Sequence, residues 1–334
     1  MSVPRASGCS LFGRRSAAAG LVMVMLVGLL VGPFRGAPAH ADTISYVPWS
    51  SLVPGLLDTF DPNSANDCVA GRSNCIYATL EAMQDRYTPM AQSCSHNGVF
   101  ALAYWRTTAT YEWSRDQLGF YANVPFMNHY DAVFAKYYFQ ARDAWTSGNV
   151  GAVPQAWQIA FQAGDNRSVS GAGDLLLGMN AHVNRDLPFV LAAMGLVNPD
   201  GTSRKPDHDQ VNQFLYDEVN ALLDEEAARW DPGVNQPSLP GGMTGDSFFN
   251  LLEGWREQAW RNAEALLAAP DQASYNLVAA QIESSAAAEA QSLVASNAFV
   301  PPLTTTASRD AYCASHAGAV GPLAYPWGVP SSAP

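Results

Sequence analysis

The stretch DLLLGMNAHVNRDLPFV, residues 174–190, decides how this chain is read. Taken as a helix, it is apolar nearly all the way round. Leu175, Leu176, Leu177, Met179, Val183, Leu187, Phe189 and Val190 leave no wide polar face. A helix of that kind belongs inside a protein rather than on it. Yet it also carries Asn180, His182, Asn184 and Asp186. Buried amides, imidazoles and carboxylates are costly unless partnered. The segment is therefore either the polar heart of a site or the centre of a structural hydrogen-bond network. Pro188 adds a further demand. It has no N–H for the carbonyl of Asn184, so a kink is expected there.

Working outward, helical patterns follow one another: Ile76–Gln92, Asn97–Phe120, Asn128–Trp145, Pro154–Ala163, Asp174–Met194, Asp207–Trp230, Asp246–Leu267 and Asp271–Ala295. Phe100, Tyr104 and Thr107 recur at helical spacing in the second of these, and Asp131, Phe134 and Tyr138 share a face in the third. Asn128 with Asp131 reads as a capping box, and Asp207, Asp246 and Asp271 read as N-caps. No stretch shows sustained period-two alternation bounded by hairpin turns. The expected fold is all-α, a single multi-helix bundle or orthogonal array.

The ends differ in character. Arg14 and Arg15 precede an apolar run from Ala17 to Val31, and Ala39-His40-Ala41 forms a small-x-small cleavage site. Residues 1–41 read as a secretory signal peptide, exported by the general or the twin-arginine route. An irregular arm (42–75), a helical domain (76–299) and a Pro/Ser/Ala-rich, extended tail (300–334) would follow. The expected location is extracellular or the cell envelope, with no transmembrane segment after leader removal. The net charge of −12 would deepen to −16 with the loss of four leader arginines. That field repels phosphate backbones and makes duplex nucleic acid an unsuitable partner. Cys68, Cys75, Cys94 and Cys313 remain after the leader, enough for two disulfides in an exported chain. Three pairings are possible. The short Cys68-to-Cys75 spacing favours that local loop, leaving Cys94 with Cys313.

His182 and Asp186 stand four apart and project from one helix face. An imidazole and a carboxylate so placed could bind a divalent metal such as zinc. They could equally form an acid/base pair in which Asp186 fixes the imidazole tautomer. They could also simply fasten helices together. Asp131 is the candidate third metal ligand, competing with its capping role. Asn180 and Asn184 point to nearly the opposite face and are candidate substrate-binding amides or local scaffolding. His208, between Asp207 and Asp209, reads as a solvated cap, and Arg256 as a partner for Glu253, Trp260 or a buried carboxylate. These readings give a hydrolase of esters or phosphoesters acting on a small-molecule or lipid-like substrate, or else a non-catalytic binding protein.

The run Leu175–Leu187 resembles the Gly-Met-Asn-Ala-His-x-Asn-x-Asp-Leu hallmark of an actinobacterial domain-of-unknown-function family. The resemblance extends to Asp131–Tyr138 and Ala156–Phe161, and more loosely to Ala259-Trp260. It implies a helical fold and an actinobacterial source, and it brings no established activity. A looser likeness is to zinc-dependent phospholipase C and single-strand nucleases, whose His-x-x-x-Asp pair matches His182 and Asp186. Those families use several further histidines and an N-terminal Trp amine. Here the expected mature N-terminus is Asp42, and only His96, His129, His182, His208 and His316 remain.

Overall fold

In a computed structural model, residues 59–239 and 241–316 are described. The expected leader, half of the arm and the end of the tail lie outside them. The helices are α1 (Ser73–Gln92), α2 (Gly98–Arg115), α3 (Val124–Thr146), α4 (Gln155–Asp165), α5 (Gly171–Met179), α6 (Leu187–Met194), α7 (Lys205–Arg229), α8 (Gly245–Ala268), α9 (Gln272–Ser296) and α10 (Thr306–His316). A π-helical segment, Asn180–Asp186, joins α5 to α6 without a break. There is no strand among the described residues, and the all-α expectation holds.

The helices bury one another. α1 packs on α2 and α3, α2 on α5 and α7, α4 on α9, and α8 on both α6 and α7. The π segment contacts α8 and α9 as well as its own neighbours, so the apolar stretch 174–190 does lie at the centre. Leu175, Leu177, Leu187 and Val190 are fully enclosed. Gly178 permits this closeness, because a Cβ there would run into the Phe100 ring of α2.

Helix starts differ in detail from the sequence reading. Asn123, not Asn128, caps α3 by accepting from the Phe126 N–H (3.1 Å). Asn128 lies a turn inside, where it accepts from the Tyr111 hydroxyl (2.8 Å) and donates to the Gly71 carbonyl (2.9 Å). Asp207 sits in the first turn of α7 and accepts the Ala122 and Asn123 N–H groups instead of capping its own helix. Thr244 and Ser247 form the capping box of α8, while Asp271 does cap α9. Short polar side chains are abundant at each start, and tertiary donors decide which one caps.

Both favoured disulfides, Cys68–Cys75 and Cys94–Cys313, are present. The second ties down α10, a helix within the stretch expected to be extended. Composition hid it, because its buried face consists of only Arg309 and Cys313. Arg309 donates to Asp174 (2.5 Å), to the Val169 carbonyl (3.0 Å) and to His96 Nδ1 (2.9 Å).

Candidate functional site

The π segment is where local chemistry becomes a site. The Leu187 N–H donates to the His182 carbonyl, five residues back rather than four. One extra residue is thereby taken up without breaking the rod, and such turns recur at functional positions. The proline kink expected at Asn184 is expressed as this wide turn, directly before Pro188.

Asp186 is completely buried and fully engaged. Its Oδ2 accepts from Trp157 Nε1 (2.8 Å) and faces His182 Nδ1 (3.4 Å), and its Oδ1 accepts from Arg185 Nη1 (2.9 Å). Arg185 also reaches Glu283 on α9 through Nε (2.6 Å). The carboxylate thus ties α4, the π segment and α9 together.

His182 faces the other way. It lines an internal cavity of about 80 Å³ walled by α2, α3, the α5–π junction, α7 and α8. The Phe134 ring stacks on the imidazole at 3.6 Å between centroids, and Tyr104 lies at 4.3 Å. His182 Nε2 has no hydrogen-bond partner. Burial lowers the His182 pKa, against the opposing pull of Asp186, so the imidazole is held neutral. With Nδ1–H directed to Asp186, Nε2 carries the lone pair.

Three more polar groups on the same wall also lack partners: Asp131 Oδ2, the Tyr104 hydroxyl and the Tyr130 hydroxyl. Burial pushes the Asp131 carboxyl up to about 7, with Arg115 pulling the other way. Burial also raises Tyr130 to about 12 against the pull of Arg256. The rest of the wall is mostly apolar, including Met127, Val211 and Leu252. The cavity therefore combines an apolar lining with a neutral base and an acid that remains protonated up to about neutral pH.

The structure brings His182, Asp186 and Asp131 into one region but does not make them a metal centre. Asp186 has spent its oxygens on Trp157, Arg185 and His182. Among the described residues no three His, Cys, Asp or Glu side chains gather as a metal-holding group. The donor set does not fit zinc or another divalent ion. Asn180 and Asn184 do not line the cavity. Asn180 donates to the Ala286 carbonyl on α9 (2.9 Å) and accepts from Asn184 (3.0 Å), so this pair fastens the wide turn to its neighbour.

Two residues were read differently from the sequence. His208 is no solvated cap: it is 3% exposed against Trp260, and neither ring nitrogen has a partner. Arg256 pairs with none of its expected partners and bonds Asn212 Oδ1 (2.7 Å) and the His208 carbonyl (2.6 Å) instead. Both contacts come from α7, and no local spacing in α8 could have announced them. The Phe100/Tyr104/Thr107 stripe, by contrast, was legible and lines the cavity.

Residues 76–296 match a family of unknown function, DUF5995. The chain belongs to this family. The match covers α1 from its fourth residue through the whole of α9 and so contains every wall of the cavity. No curated protein and no solved structure matches the chain.

Proposed function

We propose that this DUF5995 protein is an exported hydrolase of small esters, with the cavity as its acid–base site. The observation that carries the reading is the buried imidazole set between Asp186 and the cavity. Its Nδ1 is oriented by a carboxylate and its Nε2 is unengaged, and the wall of the same cavity carries a carboxyl raised to about 7. In this scheme Nε2 of His182 takes a proton from water as the water oxygen bonds to the ester carbonyl carbon. Asp131, still protonated, gives its proton to the departing alkoxide as the C–O bond breaks. The products are a carboxylic acid and an alcohol. Trp157 and Arg185 hold Asp186 so that the imidazole keeps one tautomer and one orientation.

Size limits the substrate. Pockets for drug-sized ligands run to roughly 300–1,000 Å³. A cavity of about 80 Å³ suits a short acyl group and its reacting carbonyl, not a long lipid chain. A non-catalytic carrier of a small ligand is the second reading. It is favoured by the Phe134 ring stacked flat on His182, which restricts approach to the imidazole.

Hydrolysis of acetate and butyrate esters of a chromogenic phenol by purified protein tests the scheme. His182→Gln should lower the rate by about 10²–10⁴-fold, the range for a general base. Wild-type turnover no faster than the uncatalysed reaction, or an unchanged rate in His182→Gln, would overturn it. Ester binding without turnover would leave the carrier.

A further inference from the structure

Arg256 is 5% exposed, and its two named contacts are both neutral oxygens, Asn212 Oδ1 and the His208 carbonyl. Among the described residues no carboxylate lies within ion-pair distance of it. This sets it apart. The other deeply buried arginines, Arg106, Arg115, Arg185 and Arg309, each hold a carboxylate: Glu225, Glu112, Glu283 and Asp174 respectively. The carboxylate that acts on Arg256 electrostatically is Asp209, itself bonded to Lys205 at 2.7 Å, while Glu253 and Glu257 line the α7–α8 groove without reaching the guanidinium. A guanidinium taken out of water without a counter-anion is an incomplete arrangement, because buried charges are paired or else strongly disfavoured.

Arg256 also occupies a singular place. It walls the inner cavity, and it walls a polar surface groove of about 580 Å³ between α7 and α8. No other described residue lines both. On the cavity side the wall is mostly apolar (Leu252, Val211, Phe214), and the Tyr130 hydroxyl lies close enough to interact with the guanidinium. That apolar surrounding strengthens a charge-assisted contact to an anion.

We propose that Arg256 is the anion anchor of the cavity and that its ligand is a short aliphatic carboxylate, reached from the α7–α8 groove. The carboxylate would supply the missing counter-charge, with Tyr130 as an added donor, while the aliphatic part fills the apolar wall. The volume sets the length: a cavity of roughly 150 Å³ holds the six carbons of benzene, and this one, about half that, takes the roughly three-carbon alkyl part of a short acid whose carboxylate lies at Arg256. The inference rests on the cavity being a ligand site. It then identifies the acyl half of the proposed ester, because hydrolysis yields this kind of acid.

The test uses butyrate and its neutral counterpart butyramide, with binding followed by calorimetry and by ligand-observed NMR on the whole protein. Wild type should bind butyrate at least tenfold more tightly than butyramide. Arg256→Met should abolish that preference and Arg256→Lys should restore part of it. Equal binding of the two ligands, no butyrate binding at millimolar concentration, or full preference in Arg256→Met would overturn the proposal. Should Arg256→Met fail to fold, the wild-type comparison decides alone. A protein that binds butyrate but turns over no ester would refute the hydrolase and leave the anchor standing.

Discussion

Replacing Asp186 by asparagine separates the two things a buried carboxylate can do, hold a structure or hold a catalytic base. In the structure it does both, but unequally. Its contacts to Trp157 (2.8 Å) and Arg185 (2.9 Å) are short, whereas the one to His182 is 3.4 Å. Asparagine keeps one acceptor for Trp157 but turns N–H groups toward a buried guanidinium. Removing one partner of a buried ion pair costs about 3–5 kcal/mol. Arg185 retains Glu283, with Nη2 at 2.5 Å, so the lower end, about 3 kcal/mol, is expected. His182→Gln removes only the long contact, on the order of 1 kcal/mol, and a ring stack worth about 0.5–1.5 kcal/mol. Urea unfolding followed by tryptophan fluorescence measures both, with an unchanged slope showing that the unfolding transition is comparable. Asp186→Asn should therefore destabilise by more than His182→Gln. The reverse order, or an Asp186→Asn cost within about 0.5 kcal/mol, which is the range of ordinary surface substitutions, would refute the view that Asp186 is the tie between α4, the π segment and α9.

The remaining expectations concern burial and cross-links. Glu218 is 1% exposed, accepts from Thr107 (2.8 Å), and is pushed up to about 7 by burial, with its threonine contacts pulling down. A raised carboxyl binds its proton more tightly when folded, so its stabilisation is full below the unfolded value near 4.5 and is lost as pH rises through about 7. Glu218→Gln should thus gain stability over wild type between pH 5 and pH 8, by about 3 kcal/mol at the upper end; parallel pH profiles would disprove it. The Cys94–Cys313 bond closes a separation of 219 residues and Cys68–Cys75 one of only 7. Chain-entropy reasoning gives about 5 and about 2 kcal/mol, so Cys94→Ser with Cys313→Ser should lower the melting temperature more than the other pair of substitutions. Gly178→Ala should cost about 1–3 kcal/mol through overpacking against Phe100, and an unchanged urea midpoint would count against that contact.

How much of this was legible depends on the distance over which each fact is set. Helix positions are local, and the 3.6-residue recurrence of apolar side chains located the helices from α1 to α9 to within a few residues. The buried character of 174–190 was equally local, since an all-round apolar helix has nowhere else to go. The tie between Asp186 and Trp157 was not, because 29 residues separate them and nothing in either segment names the other. Arg256 is the sharper case. Its neighbours in α8 offered Glu253 and Trp260, yet its contacts came from Asn212 and His208, 44 and 48 residues away.

The wide turn shows why a correct local premise can give an incomplete result. Pro188 does lack a donor, and the backbone does depart from α geometry just before it. But a proline alone dictates a kink, not a π turn. What the turn accomplishes is a matter of register. Leu175 and Leu177 before it and Leu187 and Val190 after it are all fully enclosed. In an uninterrupted α-helix each residue advances by about 100°. Removing the extra residue from the turn would rotate the whole of α6 by that amount relative to α5. The apolar faces on the two sides would then no longer point into one core. Packing on both sides therefore selects the π turn, and the turn in turn carries His182 to the cavity while Asn180 faces α9. The position of the candidate base is thus a consequence of core packing, which is why a pattern of His182 and Asp186 four residues apart could suggest the chemistry without locating it.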